Sequence, residues 1–247
     1  MQRYNWNPWH GCHKKSAGCL NCYMFAQDAT YHIDPNVIKR VKTNFTLPLK
    51  RNRARSFVIP SGSVIATCLT SDFFLEEADL WRAEAWQIMV SRRDCLFYII
   101  TKRPERIAAC LPADWGEKYN HILINVTAEN QAMIDERMPI LMHLPLAYKG
   151  VVVAPILGSV DLRKYLQLGQ ITAVSVGGES GQNARITNFD DVVSLYQQCI
   201  DYQVNFVFHQ TGSRLLKDGK IYLIPHSKEY TQAAKANLTL SFHSPIS

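Results

Sequence analysis

Leu96-Phe97-Tyr98-Ile99-Ile100, followed by Thr101-Lys102-Arg103-Pro104, decides the fold class. A short apolar run rich in β-branched and aromatic residues ends in a polar cluster. A proline then stands where the first turn of a helix tolerates it. That is the outline of one βα unit, and it recurs along the chain. Strands are predicted at Val64–Leu69, Leu96–Ile100, Ile122–Val126, Gly150–Ala154, Ala173–Val176 and Phe206–His209. Amphipathic stretches of helical length separate them, at Glu77–Arg92, Pro104–Cys110, Glu129–Leu141, Leu162–Leu166 and Phe189–Tyr202, with an earlier short helix at Asn21–Ala29. Such alternation predicts a parallel α/β sheet, either a barrel or a doubly wound one. No repeat or low-complexity segment divides the 247 residues, so one domain over 1–247 is expected, with a ragged tail after about Pro225.

The predicted strands run out into polar clusters at their carboxyl ends. These are Thr70-Ser71-Asp72, Thr101-Lys102-Arg103, Thr127-Ala128-Glu129-Asn130, Gly177-Gly178-Glu179-Ser180-Gly181 and His209-Gln210-Thr211-Gly212. Both architectures build active sites at that edge. Helix caps and turns explain Thr70 and Ser71 equally well. They explain Lys102, Arg103 and Glu179 badly, and charges repeated at successive strand ends point to a shared polar cleft. Lys102 and Arg103 beside a helix start form an anion site for a carboxylate or phosphate, or else ion pairs with Asp72, Glu129 or Glu179. In Gly177–Gly181 the glycines allow close backbone approach to a ligand, and Glu179 can accept hydrogen bonds from an amine or ribose. A tight turn with an exposed glutamate is the plainer alternative. The dinucleotide fingerprint, the Walker A loop and the nucleophile elbow are all absent.

Chemistry is most concentrated near the start, in Asn5-Trp6-Asn7-Pro8-Trp9-His10-Gly11-Cys12 and Cys19-Leu20-Asn21-Cys22-Tyr23. The spacing C-x6-C-x2-C lets three thiolates hold a [4Fe–4S] cluster by three irons and leave the fourth open. Zinc is an alternative, with His10 or His13 completing Cys12, Cys19 and Cys22, although no second knuckle follows downstream. Plain thiols or disulfides are a third option, against which the odd count of seven cysteines stands. Cys68, Cys95, Cys110 and Cys199 lie in apolar surroundings and read as core. His209, at a strand end, reads as an acid–base group or a hydrogen-bonded barrel residue.

Hydrophobic residues make up 47% of the chain and charged ones 19%, as in ordinary soluble enzymes. No apolar run reaches the roughly eighteen residues of a membrane span, so no membrane partner and a cytoplasmic location are expected. The net charge of +6 is uneven: Lys39, Arg40, Lys42, Lys50, Arg51, Arg53 and Arg55 occur with no acidic residue among them. Residues 39–55 are therefore either a basic connector that neutralises phosphates of a nucleic acid or nucleotide, or simply a solvated face.

Taken with Leu69-Thr70-Ser71-Asp72-Phe73-Phe74, Thr101–Pro104, Asn125–Asn130 and Gly177–Gly181, the cysteine loop at residues 5–23 resembles a phage-associated family of three-Cys-motif proteins. The resemblance spans nearly the whole chain. It implies a partial (βα) TIM-like barrel of about six to seven parallel strands with an N-terminal cysteine-rich loop. It is akin to radical S-adenosylmethionine (SAM) enzymes such as spore photoproduct lyase, and often has a co-encoded partner protein. By that likeness Cys12, Cys19 and Cys22 would ligate a [4Fe–4S] cluster whose open iron takes SAM. One electron from a donor protein would cleave SAM to a 5′-deoxyadenosyl radical. Gly177, Gly178, Glu179 and Ser180 are the expected SAM contacts, with Lys102, Arg103 and Glu129 beside them and the catalytic residue unassigned. The first cysteine gap is six residues rather than the usual three, and the aromatic Tyr23 follows the last cysteine rather than preceding it. The reading that needs no SAM is a nucleic-acid-binding protein whose loop is fastened by zinc or a structural cluster. A hydrolase using Asp72, Glu129 and Glu179 on a metal ion is the third.

Overall fold

Burial along Leu96–Thr101 alternates strictly, with Phe97, Ile99 and Thr101 buried and their neighbours partly open. One face of this strand is therefore packed, while the other looks onto a cavity. The computed structural model describes residues 1–242, so the last five residues of the domain expected over 1–247 lie outside the described residues. Seven strands pair in chain order and all in parallel: β1 (Arg3–Trp6), β2 (Val64–Thr67), β3 (Leu96–Thr101), β4 (Ile122–Thr127), β5 (Lys149–Val153), β6 (Ala173–Gly177) and β7 (Asn205–Gln210). An eighth, β8 (Thr239–Leu240), runs antiparallel to β7 at the far edge.

The order never reverses, which excludes the doubly wound alternative. Right-handed crossovers without a reversal put the connecting helices on one face of the sheet. These are α2 (Asp79–Val90), α3 (Pro104–Cys110), α4 (Gln131–His143), α5 (Arg163–Leu166) and α6 (Phe189–Asp201), after α1 (Tyr23–Thr30) beside the cysteine loop. Ile65, Phe97, Ile99, Ile124, Val126, Val151, Val174 and Phe206 form the buried layer under them. The opposite face lines a cavity of about 400 Å³ bounded by Arg3 of β1, Tyr98 of β3, Val152 of β5 and His209 of β7. Residues from both margins of the sheet share one hollow, so the sheet curls into a half-barrel.

All six strands expected from the sequence are present. Two strands of this sheet were not foreseen, β1 and β8, nor was the hairpin Arg214–Lys217/Lys220–Leu223 outside it. Residues expected to form a ragged tail instead build α7 (Glu229–Lys235) and β8. α7 packs on β7 through Ala233, and Glu229 is fully buried. Among the described residues no helix is long and apolar enough to cross a membrane.

Candidate functional site

Two buried tryptophans fix where the cysteine loop sits. Trp6 ends β1 and donates its indole N–H to the Phe45 carbonyl at 3.0 Å, packing edge-on to Phe97. Trp9 donates to the Asp72 carbonyl at 3.1 Å and packs on Phe73 at 5.1 Å. Between them Asn7 accepts the Thr70 amide at 3.3 Å, and Ser71 donates to the Gly11 carbonyl at 2.5 Å. The aromatic residues of the motif are thus anchors that lay the loop across the carboxyl ends of the strands.

Three strand-end acids then fasten it. Asp72, after β2, accepts from the Thr101 hydroxyl at 2.8 Å and from Arg103 at 3.1 Å. Arg103 also reaches the His13 carbonyl at 2.8 Å. Burial opposes the charge on Arg103, but Asp72 and Cys12 outweigh it and raise its pKa. Glu129, after β4, is fully buried and accepts the Gly18 amide at 2.8 Å and Arg137 at 3.3 Å. Burial alone would raise its pKa; Ser16, the Gly18 amide and Arg137 reverse that and lower it. The Ser16 hydroxyl itself lies outside hydrogen-bond geometry, so Gly18 is the firm loop donor. A Cβ on Gly18 would stand 3.0 Å from the Glu129 carboxyl carbon, so any larger residue would press on the carboxylate at this approach. Glu179, after β6, accepts Arg185 through both oxygens at 2.6 and 2.9 Å and Asn21 at 3.0 Å. Arg185 in turn holds the Ala17 carbonyl at 3.0 Å. The pKa of Glu179 is lowered, since these donors outweigh its burial.

The expected site residues therefore lie along one edge, but the acids grip the loop rather than open space. They do not converge on an ion, as the hydrolase reading requires; each faces its own arginine. Gly178 also has a packing reason. A Cβ there would fall 2.2 Å from the Thr211 carbonyl oxygen. Ser180 donates to the buried Glu229 at 2.5 Å, which ties the glycine motif to α7. Arg137, Arg185 and Glu229 went unnoticed in the sequence. An arginine stands eight residues after Glu129 and six after Glu179, but the two spacings differ and gave no common signal.

Cys12, Cys19 and Cys22 are half-buried and free. The Cys12 thiol is pushed up to about 12, by burial first and then by Asp72, with Arg103 opposing and Cys19 and Cys22 adding to the rise. The backbone amide of Lys15 donates to the Cys19 sulfur at 3.5 Å. His10 turns onto Asp28 at 2.9 Å and His13 onto Glu77 at 2.6 Å, so both imidazoles are engaged away from the thiols. Among the described residues no group of three or more His, Cys, Asp or Glu is gathered as ligands to a single ion.

Beside Cys22 opens a cleft of about 180 Å³, walled by Tyr23, Lys102, Pro155, Gly178, Glu179, Ser180 and Gln210. Ala154 and Gln210 border both this cleft and the half-barrel cavity below. Lys102 makes no side-chain hydrogen bond or ion pair among the described residues, so its charge is available to an anion there. The basic connector is divided. Lys39 and Arg40 pair with Trp9–His10 on the loop side, where Arg40 clasps Glu84 at 2.7 and 2.8 Å. Arg51 bridges to Phe57 at the opposite end, near Arg92, which holds the Ile59 carbonyl at 2.8 Å.

No curated protein and no solved structure matches the chain. A family model described as a protein of unknown function (DUF5131) matches residues 2–238, a span holding the cysteine loop, all seven parallel strands and every strand-end acid. The chain therefore belongs to the DUF5131 family.

Proposed function

We propose that this protein is an iron–sulfur enzyme of the radical SAM type, built on a partial TIM-like barrel. The carrying observation is a C-x6-C-x2-C loop clamped over the mouth of a half-barrel by three separate strand-end carboxylates. The donor set fits a [4Fe–4S] cluster better than a zinc ion. Three free thiols near enough to perturb one another, yet not gathered on one point, suit a group that takes one thiolate per iron. A single zinc ion needs a fourth ligand, and His10 and His13 both face carboxylates. Cys12, Cys19 and Cys22 would hold the cluster, which when bound with SAM supplies one-electron reductive cleavage of the sulfonium.

The protein's own residues do the rest. Lys102 offers a cation to a carboxylate in the cleft, and Ser180 and Gln210 offer hydrogen bonds. Asp72, Glu129 and Glu179 hold the loop, and this reading gives Glu179 a positioning role rather than direct contact with SAM. The loop itself walls the cleft through Gly18, Asn21, Cys22 and Tyr23. The substrate in this reading is a nucleic acid or nucleotide, whose phosphates would meet Lys39 and Lys42 on the loop side. An electron-donor protein and a co-encoded partner complete it.

The test is anaerobic reconstitution with iron and sulfide, then electron paramagnetic resonance of the reduced protein with and without SAM. A [4Fe–4S]⁺ signal that shifts with SAM, and is lost in Cys12→Ala, Cys19→Ala and Cys22→Ala, is expected. Stoichiometric zinc without iron would instead leave a metal-fastened nucleic-acid-binding protein.

A further inference from the structure

A further concave surface lies away from the cysteine loop and shares no lining residue with the cleft beside Cys22. It is a groove of about 490 Å³ between α7 and the hairpin Arg214–Lys217/Lys220–Leu223. Phe189, Phe208 and Leu215 give it an apolar floor. Lys217, Lys228 and Lys235 stand along it, against the single acid Asp218. Lys217 lies over the Phe189 ring at 4.9 Å, while Lys228 and Lys235 make no side-chain hydrogen bond or ion pair among the described residues. The groove is therefore both apolar and positive.

The hairpin adds two further observations. Among the described residues, Lys220–Leu223 pairs on one side only, with Arg214–Lys217, so its other edge offers unpaired backbone groups. All four of its residues are exposed; Leu223 is 77% exposed, and Ile221 and Tyr222 exceed 40%. The edge is four residues long and charged only at Lys220, so Ile221-Tyr222-Leu223 present an apolar stretch of it. The apolar exposure runs past the rim of the groove onto Ile221, so a small molecule filling the groove would leave most of it wet.

We propose that this groove docks an extended segment of another protein, bearing acidic side chains for the lysines and apolar ones for the floor and hairpin. Backbone pairing along Lys220–Leu223 would supply affinity, and alternate side chains would supply specificity. The charge imbalance of three lysines to one aspartate selects acidic over basic partners. The site stands whether or not the cysteine loop carries a cluster.

Fluorescence anisotropy with a fluorescein-labelled decapeptide of alternating glutamate and valine tests this on the full-length protein. Saturable binding is expected. The Lys228→Glu/Lys235→Glu variant, altered only at exposed positions, should weaken it about tenfold or more. Leu223→Ser should weaken it with the charges intact, and Lys50→Glu should leave it unchanged. Equal binding of an alternating lysine–valine peptide, or no binding of the acidic one, overturns the proposal. So does a dimer in sedimentation velocity that Leu223→Ser dissociates, since a second copy would then occupy the groove.

Discussion

Replacing Glu129 by alanine removes the fully buried acid that accepts the loop's Gly18 amide. Arg137, itself 1% exposed, would keep only its bond to the Thr127 carbonyl at 2.6 Å. Orphaning a buried charge in this way costs roughly 3–5 kcal/mol. The surviving carbonyl bond places the cost near the lower end, about 3 kcal/mol. The buried Gly18 amide also loses its acceptor, at about 1 kcal/mol or more. A total near 4 kcal/mol corresponds to a fall in Tm of roughly 8–16 °C for a chain of this size. Urea unfolding followed by tryptophan fluorescence measures the energy. Tryptic cleavage after Lys14 or Lys15 reports the loosened loop. Adding Arg137→Met removes the orphan charge and should restore most of the 3 kcal/mol, while the loop stays open to trypsin. A single variant within about 1 kcal/mol of wild type, or a double variant no better than the single, would refute the clamp. The pH dependence follows from the lowered pKa. The stabilisation is complete above the ordinary value of 4.5 and disappears as pH falls through the lower folded-state value. The gap between wild type and Glu129→Gln should therefore begin to narrow as pH falls below about 4.5 and be closed once pH is below the folded-state value.

Other sites give sharper local tests. Gly178→Ala would drive a methyl against the Thr211 carbonyl and the Thr187 hydroxyl, costing about 1–3 kcal/mol by thermal unfolding, and a neutral result would mean the strand end can shift. Arg185→Lys cannot hold both Glu179 oxygens and the Ala17 carbonyl together, so faster hydrogen exchange at Ala17–Asn21 is expected, and unchanged protection would remove Arg185 from the clamp. Asp94 is held at about 2 by Arg92 and Ser61 against its burial. Its contribution is thus present above its ordinary 3.8 and lost toward pH 2, so Asp94→Asn should be less stable than wild type at pH 7 and equal to it near pH 2 in denaturant titrations.

The strands β2 to β7 were legible because their β-branched runs are bounded by sharp polar breaks. β1 was not, since Arg3-Tyr4-Asn5-Trp6 alternates polar with aromatic and merges into the cysteine loop. Its partner, Val64–Thr67, lies about sixty residues on, a pairing that local pattern cannot reveal. Residues 229–240 read as tail because α7 is short, and its burial hangs on Glu229 and Ala233 alone. The shared edge of Asp72, Lys102, Arg103, Glu129 and Glu179 followed from strand ends, which sequence shows well. Their direction did not. Glu129 meets Gly18 across 111 positions and Glu179 meets Asn21 across 158, contacts set by the curl of the sheet.

The three clamps come from parts of the chain that leave the ribosome in strict order. Asp72 and Arg103 emerge first, Glu129 and Arg137 next, Glu179 and Arg185 last. At roughly 5–20 residues per second, the loop ending at Cys22 is out for about ten to thirty seconds before its final fastening exists. Nascent chains thus expose three oxidisable thiols throughout that interval. A truncated product ending before Arg185 would carry the complete cysteine motif and two of its clamps yet lack the third, a distinction that any maturation machinery surveying newborn chains could read.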